Sequence, residues 1–229
     1  ASGGAKNWPV ALAGPERFAA RAVEGMWRSM GGQITGRVRD GQVPPGLKPA
    51  WDSVSPALGE VVRDINKFSN NVMTQQLLLT LGKERMGVGS FDAGRTALSQ
   101  WWQLRWAAAE MPVVDNGSGL SRNARISAQA LGRMLQAAWH SAVMPEFVAS
   151  LPISGTDGTL RRSKASANAH LKTGSLRDVN SLAGYVHGYS GQRYVLVAMV
   201  NHPNAGAARP VLDALVDWVA QDGAAVAQR

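Results

Sequence analysis

Cysteine is absent from the 229 residues. Disulfides are therefore excluded, and the compartment cannot be read from them. Charge is scarce as well: ionisable Asp, Glu, Lys and Arg make up 17% of the chain, with 24 basic residues against 16 acidic ones and a net charge of +8. The basic residues are scattered, and none of their runs is longer than Arg161-Arg162. Zinc-finger spacing and the aromatic–basic motif of RNA-binding sheets are both missing, which argues against nucleic acid as a partner. The positive excess suits attraction to a polyanionic cell wall or membrane surface better. No apolar run approaches the roughly 20 residues of a membrane span. The first residues, Ala1-Ser2-Gly3-Gly4-Ala5, carry no basic-then-apolar leader. The chain is expected either to be cytoplasmic or to begin after a removed segment.

What is present is a globular composition, 45% apolar, long enough for one domain with a real core. Residues 1–14 read as a lead-in and 15–229 as one domain. Pro15 to Met30 is a helix by the spacing of Phe18, Ala22, Met26 and Met30, with Pro15 suited to the first turn. Gln33 to Val38 reads as a short strand and Asp40 to Pro49 as a loop rich in Gly and Pro. Helices follow at Pro56–Phe68, Val72–Leu81 and Phe91–Glu110. Asp115-Asn116-Gly117-Ser118-Gly119 is a turn signal. Ser127 is placed to cap a helix running to His140, and a short helix covers Pro145–Leu151. The last quarter changes period: His170–Ser175, Ser181–Tyr189 and Arg193–Asn201 read as strands of an antiparallel sheet, closed by a helix over Ala205–Ala220. The expected fold class is α/β in the broad α+β sense, an antiparallel sheet flanked by helices.

Two short motifs carry chemistry. Ser69-Asn70-Asn71 is an S-x-N at a helix boundary, and Lys172-Thr173-Gly174 is a K-T-G at the head of a strand. Alone, the first reads as helix capping and the second as a strand start on a solvated face. Their order and context match the placement of S-x-N and K-T-G in penicillin-recognising serine enzymes. The logic is physical. A strand edge can pair with an extended peptide ending in D-Ala-D-Ala. Lys172 brings positive charge to its carboxylate, Thr173 and Ser175 offer hydroxyls, and Gly174 permits close approach. A backbone N–H just after the motif, at Leu176, is placed to point into an oxyanion hole. Ser69 can pass a proton to the leaving amine, and Asn71 can hold the acyl-side amide.

The chain resembles the class C low-molecular-mass penicillin-binding proteins, the D-alanyl-D-alanine carboxypeptidase/endopeptidase group typified by penicillin-binding protein 4. The stretches that match are Asp64 to Asn71, Asp115 to Arg122 (D-G-S-G-L-S-R with one substitution or insertion around Asn116), Leu151 to Leu160, and Leu171 to Leu176 followed by Leu182 to Tyr185. The resemblance spans about residues 15 to 220 and implies a penicillin-binding transpeptidase/β-lactamase-like fold. It further implies that Ser118, Leu120 and Arg122 line a pocket for the substrate's side chain, and that Ser69, Asn71 and Lys172 are catalytic. Ser121-Arg122-Asn123, a second S-x-N, falls inside the family's G-S-G-L-S-R loop.

One family element is missing. No serine in the chain is followed three residues later by lysine, so the S-x-x-K that supplies the nucleophile is absent and the fold is expected to be incomplete. The resemblance then implies the C-terminal portion of a periplasmic serine-type carboxypeptidase/endopeptidase. Its partners would be peptidoglycan peptides, β-lactams and the missing N-terminal part of the same protein. The alternative is a non-catalytic peptidoglycan-binding or structural module. The resemblance implies no metal or organic cofactor, and His140, His170, His187 and His202 lack metal-ligand spacing. Trp101, Trp102 and Trp106 read as core packing with partial exposure, and nothing in the sequence pairs Asp157 with Asp178.

Overall fold

The computed structural model describes residues 14–222 apart from 51, 107–109 and 167. They divide into two units, with the boundary between Val54 and Ser55. Most of the lead-in and part of the expected Phe91–Glu110 helix lie outside the described residues.

In the first unit, α1 (Pro15–Ser29) forms as its spacing predicts, with Pro15 in the first turn and a Glu24–Arg28 pair one turn apart. The strand expected over Gln33–Val38 does not form. Trp27 Nε1 and Arg28 instead donate to the carbonyls of Gln33 and Ile34. A strand needs a partner to hold it, and among the described residues none pairs with this segment.

The second unit opens with α2 (Leu58–Phe68), which exposes Leu58 and buries Ile65. It ends at Ser69 in the left-handed conformation, φ 56° and ψ 47°. Asn70 then caps α3 (Asn71–Met86) by accepting from the Met73 N–H at 3.1 Å. Thus the middle residue of S-x-N does the capping, and the outer two are free for other work. The hairpin α3–α4 (Phe91–Trp106) follows. Trp102 is buried on it, with Trp101 and Trp106 packed against its ring. The expected Ser127 cap holds: its hydroxyl accepts from Ala130 N at the start of α5 (Ala128–Trp139). The short α6 spans Met144–Ser150.

Strands β1 (Ala169–Leu176), β2 (Val179–His187) and β3 (Arg193–Asn201) form one antiparallel sheet in the order β1-β2-β3. β2 begins two residues earlier than its hydrophobic pattern suggests, because Arg177-Asp178 is a two-residue turn with Leu176 opposite Val179. Alternation sends the side chains to two faces. On one face Ala169, Leu171, Leu182, Val186 and Leu196 pack against Leu212, Val216 and Ala220 of α7 (Arg209–Ala220). On the other, Tyr185 packs with Leu135 and Leu151, and its hydroxyl donates to the Leu135 carbonyl at 2.7 Å. Burial pushes that phenol up to about 12. Gly184 sits opposite Leu171 at φ 151°, where a Cβ would come within 2.2 Å of the His170 carbonyl. Only glycine lets β1 lie this close to β2.

Candidate active site

The two motifs meet although they lie far apart in sequence. Lys172 Nζ donates to Ser69 Oγ at 2.7 Å and to the Thr173 carbonyl at 2.8 Å. That uses two of its three donors and leaves the third for a ligand. Burial holds the Lys172 ammonium below its ordinary 10.5, which eases proton exchange with Ser69. Ser69 accepts from Lys172, so its own O–H remains available. Its left-handed backbone, unfavourable for a residue with a Cβ by roughly 1 kcal/mol, places the hydroxyl at the junction of α2 and α3. Asn71 Nδ2 donates to the Ser118 carbonyl at 2.6 Å, tying the head of α3 to the Asp115–Gly119 turn.

These residues line a cleft of about 660 Å³, with walls that include Ser69, Asn71, Ser118, Leu120, Lys172 and Gly174. Thr173 and Ser175 line it too. Among the described residues the outer edge of β1 is paired only at its start: Leu171 N–H donates to the Pro152 carbonyl at 2.9 Å, and Ser154 N–H to the Ala169 carbonyl at 3.0 Å. Backbone groups alternate sides along a strand. The N–H groups of Thr173 and Ser175 therefore face the open edge, while those of Lys172, Gly174 and Leu176 face β2. The outward N–H expected at Leu176 is that of Ser175. The expectation slips by one residue, and one residue is half the period of a strand.

The loop residues divide. Ser118 lines the cleft, but its hydroxyl is consumed locally: it donates to Asn116 Oδ1 at 2.7 Å and accepts from Leu120 N at 3.1 Å. Leu120 presents an exposed apolar side chain to the cleft. Arg122 is not in the cleft wall. It pairs with Asp178 in the β1–β2 turn, and this hydrogen bond, with the arginine's charge, holds the Asp178 carboxyl below its usual range. Asp157 and Asp178 thus have separate cationic partners and form no carboxylate pair.

Sequence reasoning missed what fixes the site. Lys67, buried near the end of α2, donates to Asp157 Oδ2 at 2.6 Å and to the Leu151 carbonyl at 2.7 Å. Burial pushes Asp157 up, but the bonds from Lys67 and the Ile153 N–H, with the charges of Lys67 and His170, outweigh it and leave the carboxyl below 3.8. Asn66 adds a 2.8 Å bond to Ser150. At Gly158, φ 53°, a Cβ would stand 2.6 Å from the Lys67 carbonyl, so the Leu151–Leu160 segment can press against α2 only through glycine. Thr159, delivered by the same segment, holds its hydroxyl 2.8 Å from that of Thr173. The signal was present, since Lys67 and Asp157 both lie in the motif-bearing stretches, but nothing local pairs them.

His170 and His187 stack at 5.4 Å between ring centroids. Burial lowers both below 6.5; the Lys67 charge adds to this at His170, and Arg193 and the neighbouring ring add to it at His187. A histidine with a depressed folded value takes up its proton earlier in the unfolded chain, so the stability is present above 6.5 and lost as pH falls through the folded value. The thermal midpoint is expected to fall as pH drops below 6.5, and His187→Gln to flatten that slope; an unchanged slope in scanning calorimetry contradicts the assignment.

The fold is the penicillin-binding type. It superposes with a TM-score of 0.74 and 22% identity on penicillin-binding protein 4 (dacB) from Haemophilus influenzae, solved in complex with a β-lactam, covering 90% of this chain and 52% of that one. Residues 2–222 match the D-Ala-D-Ala carboxypeptidase 3 (S13) family, and the chain belongs to it. It is 30% identical over 206 residues to the D-alanyl-D-alanine carboxypeptidase of Actinomadura sp. (strain R39), covering 85% of this chain and 38% of that protein. Against the D-alanyl-D-alanine carboxypeptidase DacB of Haemophilus influenzae the identity is 24%, over 86% of this chain and 42% of the relative. The chain thus spans about half the length, or less, of these relatives.

Proposed function

We propose that this chain forms the substrate-holding and proton-relaying half of a serine-type D-Ala-D-Ala carboxypeptidase/endopeptidase of the periplasm, acting on peptidoglycan stem peptides through an acyl-enzyme. The nucleophilic serine would lie on a segment outside this chain. The observation that carries the reading is the 2.7 Å contact between Lys172 Nζ and Ser69 Oγ beside an open strand edge. The acyl portion of the peptide pairs with that edge, and its carbonyl oxygen takes the Ser175 N–H as negative charge develops. The remaining donor of Lys172 and the Thr173 hydroxyl hold the terminal carboxylate. The serine gives its proton to a base on its own segment as its oxygen forms the ester bond and the amide C–N bond breaks, and that proton then replaces the one Lys172 passes on. Ser69 gives its proton to the leaving D-alanine nitrogen and is reprotonated through Lys172. Water then hydrolyses the ester and restores the serine. The same cleft would take β-lactams, which present a like carboxylate and strained amide.

The non-catalytic reading has one observation in its favour, the absence of S-x-x-K. The two readings part on D-alanine release by the product of the complete gene. Release from a peptide ending in D-Ala-D-Ala, and none from its L-Ala-L-Ala counterpart, is expected. Binding of the D-peptide without release would leave a recognition module.

A further inference from the structure

A second hollow opens beside the cleft and shares Thr159 and Arg209 with it; Phe68, Gly158, Arg161 and Arg162 complete its lining. Three arginines therefore line one concavity. Their side chains make no ion pair or hydrogen bond among the described residues, where the cationic partners of carboxylates are Arg28, Lys67, Arg95 and Arg122. One carboxylate, Asp213, lines the adjoining cleft with Arg209 and accepts from the Ser163 hydroxyl and the Lys164 N–H, so three positive charges outnumber it and the excess potential draws anions. Guanidinium forks match carboxylate geometry.

Position says which anion. Thr159 bridges the two spaces, its hydroxyl 2.8 Å from that of Thr173. In the mechanism proposed above, on which this inference rests, Thr173 holds the carboxylate of the departing residue. The hollow therefore continues the cleft on the leaving side of the scissile bond. We propose that Arg161, Arg162 and Arg209 form a subsite for a second carboxylate on the leaving group, so that the protein prefers leaving groups more acidic than D-alanine. A cross-linked peptide, whose leaving portion carries further carboxylates, is such a substrate.

The test uses the product of the complete gene and two peptides alike up to the scissile bond, one releasing D-alanine and the other D-glutamate. The wild type is expected to favour the second by about tenfold in kcat/KM, the equivalent of one modest charge-assisted contact. Added salt should shrink the preference. The R161Q/R162Q/R209Q variant should abolish it, and the corresponding triple lysine variant should retain part. A wild type that releases D-alanine with no preference for the acidic leaving group overturns the subsite alone. Release from neither peptide overturns the mechanism and the subsite with it. Titration with inorganic phosphate separates the remaining source: phosphate binding lost in the triple glutamine variant while the peptide preference is unchanged would make the hollow a site for a free phosphate, and would also overturn the assignment.

Discussion

Lys172→Ala is expected to slow acylation by penicillin about a thousandfold in the complete protein, within the range for losing a proton-transfer partner and an electrostatic donor together. Two losses combine. The third Nζ donor can no longer meet the ligand's carboxylate, and Ser69 Oγ loses the 2.7 Å bond that links it to a proton reservoir. The substitution leaves no buried counter-ion stranded, because among the described residues Lys172 has no carboxylate partner; its bonds go to a hydroxyl and a carbonyl. The thermal midpoint should therefore hold while the rate collapses. Ser69→Ala should share the rate defect, since it removes the other end of the same contact. The second-order rate of acyl-enzyme formation is the readout, and a Lys172→Ala rate within about threefold of wild type would contradict the role argued from the energetics of such groups.

The largest effect on stability is expected at Asp157. The Lys67 side chain is 6% exposed and that of Asp157 is 37%. Asp157→Ala leaves the ammonium buried with only the Leu151 carbonyl for company. Breaking a buried pair from one side costs about 3–5 kcal/mol; the partly exposed carboxylate brings this to about 2–3 kcal/mol here. Replacing both partners by Lys67→Met with Asp157→Leu should cost less than Asp157→Ala alone, because no charge is then stranded. Urea unfolding of the wild type, Asp157→Ala and the double variant measures this, and a double variant that loses as much as Asp157→Ala or more would contradict it. The pair also has a pH signature. The carboxyl is depressed, so its stability is present above 3.8 and lost as pH falls through the lower folded value. Ser69 lies two residues beyond Lys67, so acylation should weaken along with stability in Asp157→Ala.

The fold was legible wherever local pattern decides. The apolar spacing of α1, the hydroxyl of Ser127 and the alternation of the three strands each placed an element. Order and context pointed to Ser69, Asn71 and Lys172, which the structure gathers in one cleft. What escaped was decided at a distance or by a half-period. Ser69-Asn70-Asn71 offers three capping side chains, and only the backbone turn at Ser69 assigns the cap to Asn70. Ser175 and Leu176 exchange roles because the turn at Arg177-Asp178 fixes the register. Arg122 finds Asp178, and Lys67 finds Asp157, across separations that no periodicity spans. Gln33–Val38 has strand-like residues, yet no described segment pairs with it.

On this reading the chain carries the recognition half of an acylating enzyme. Intact mass after incubation with a penicillin, read side by side on this chain and on the product of the complete gene, tests it most directly. One penicillin adduct is expected on the longer protein and none on this chain. No adduct on either would contradict an acyl-enzyme, and an adduct on this chain would place the nucleophile among its own serines.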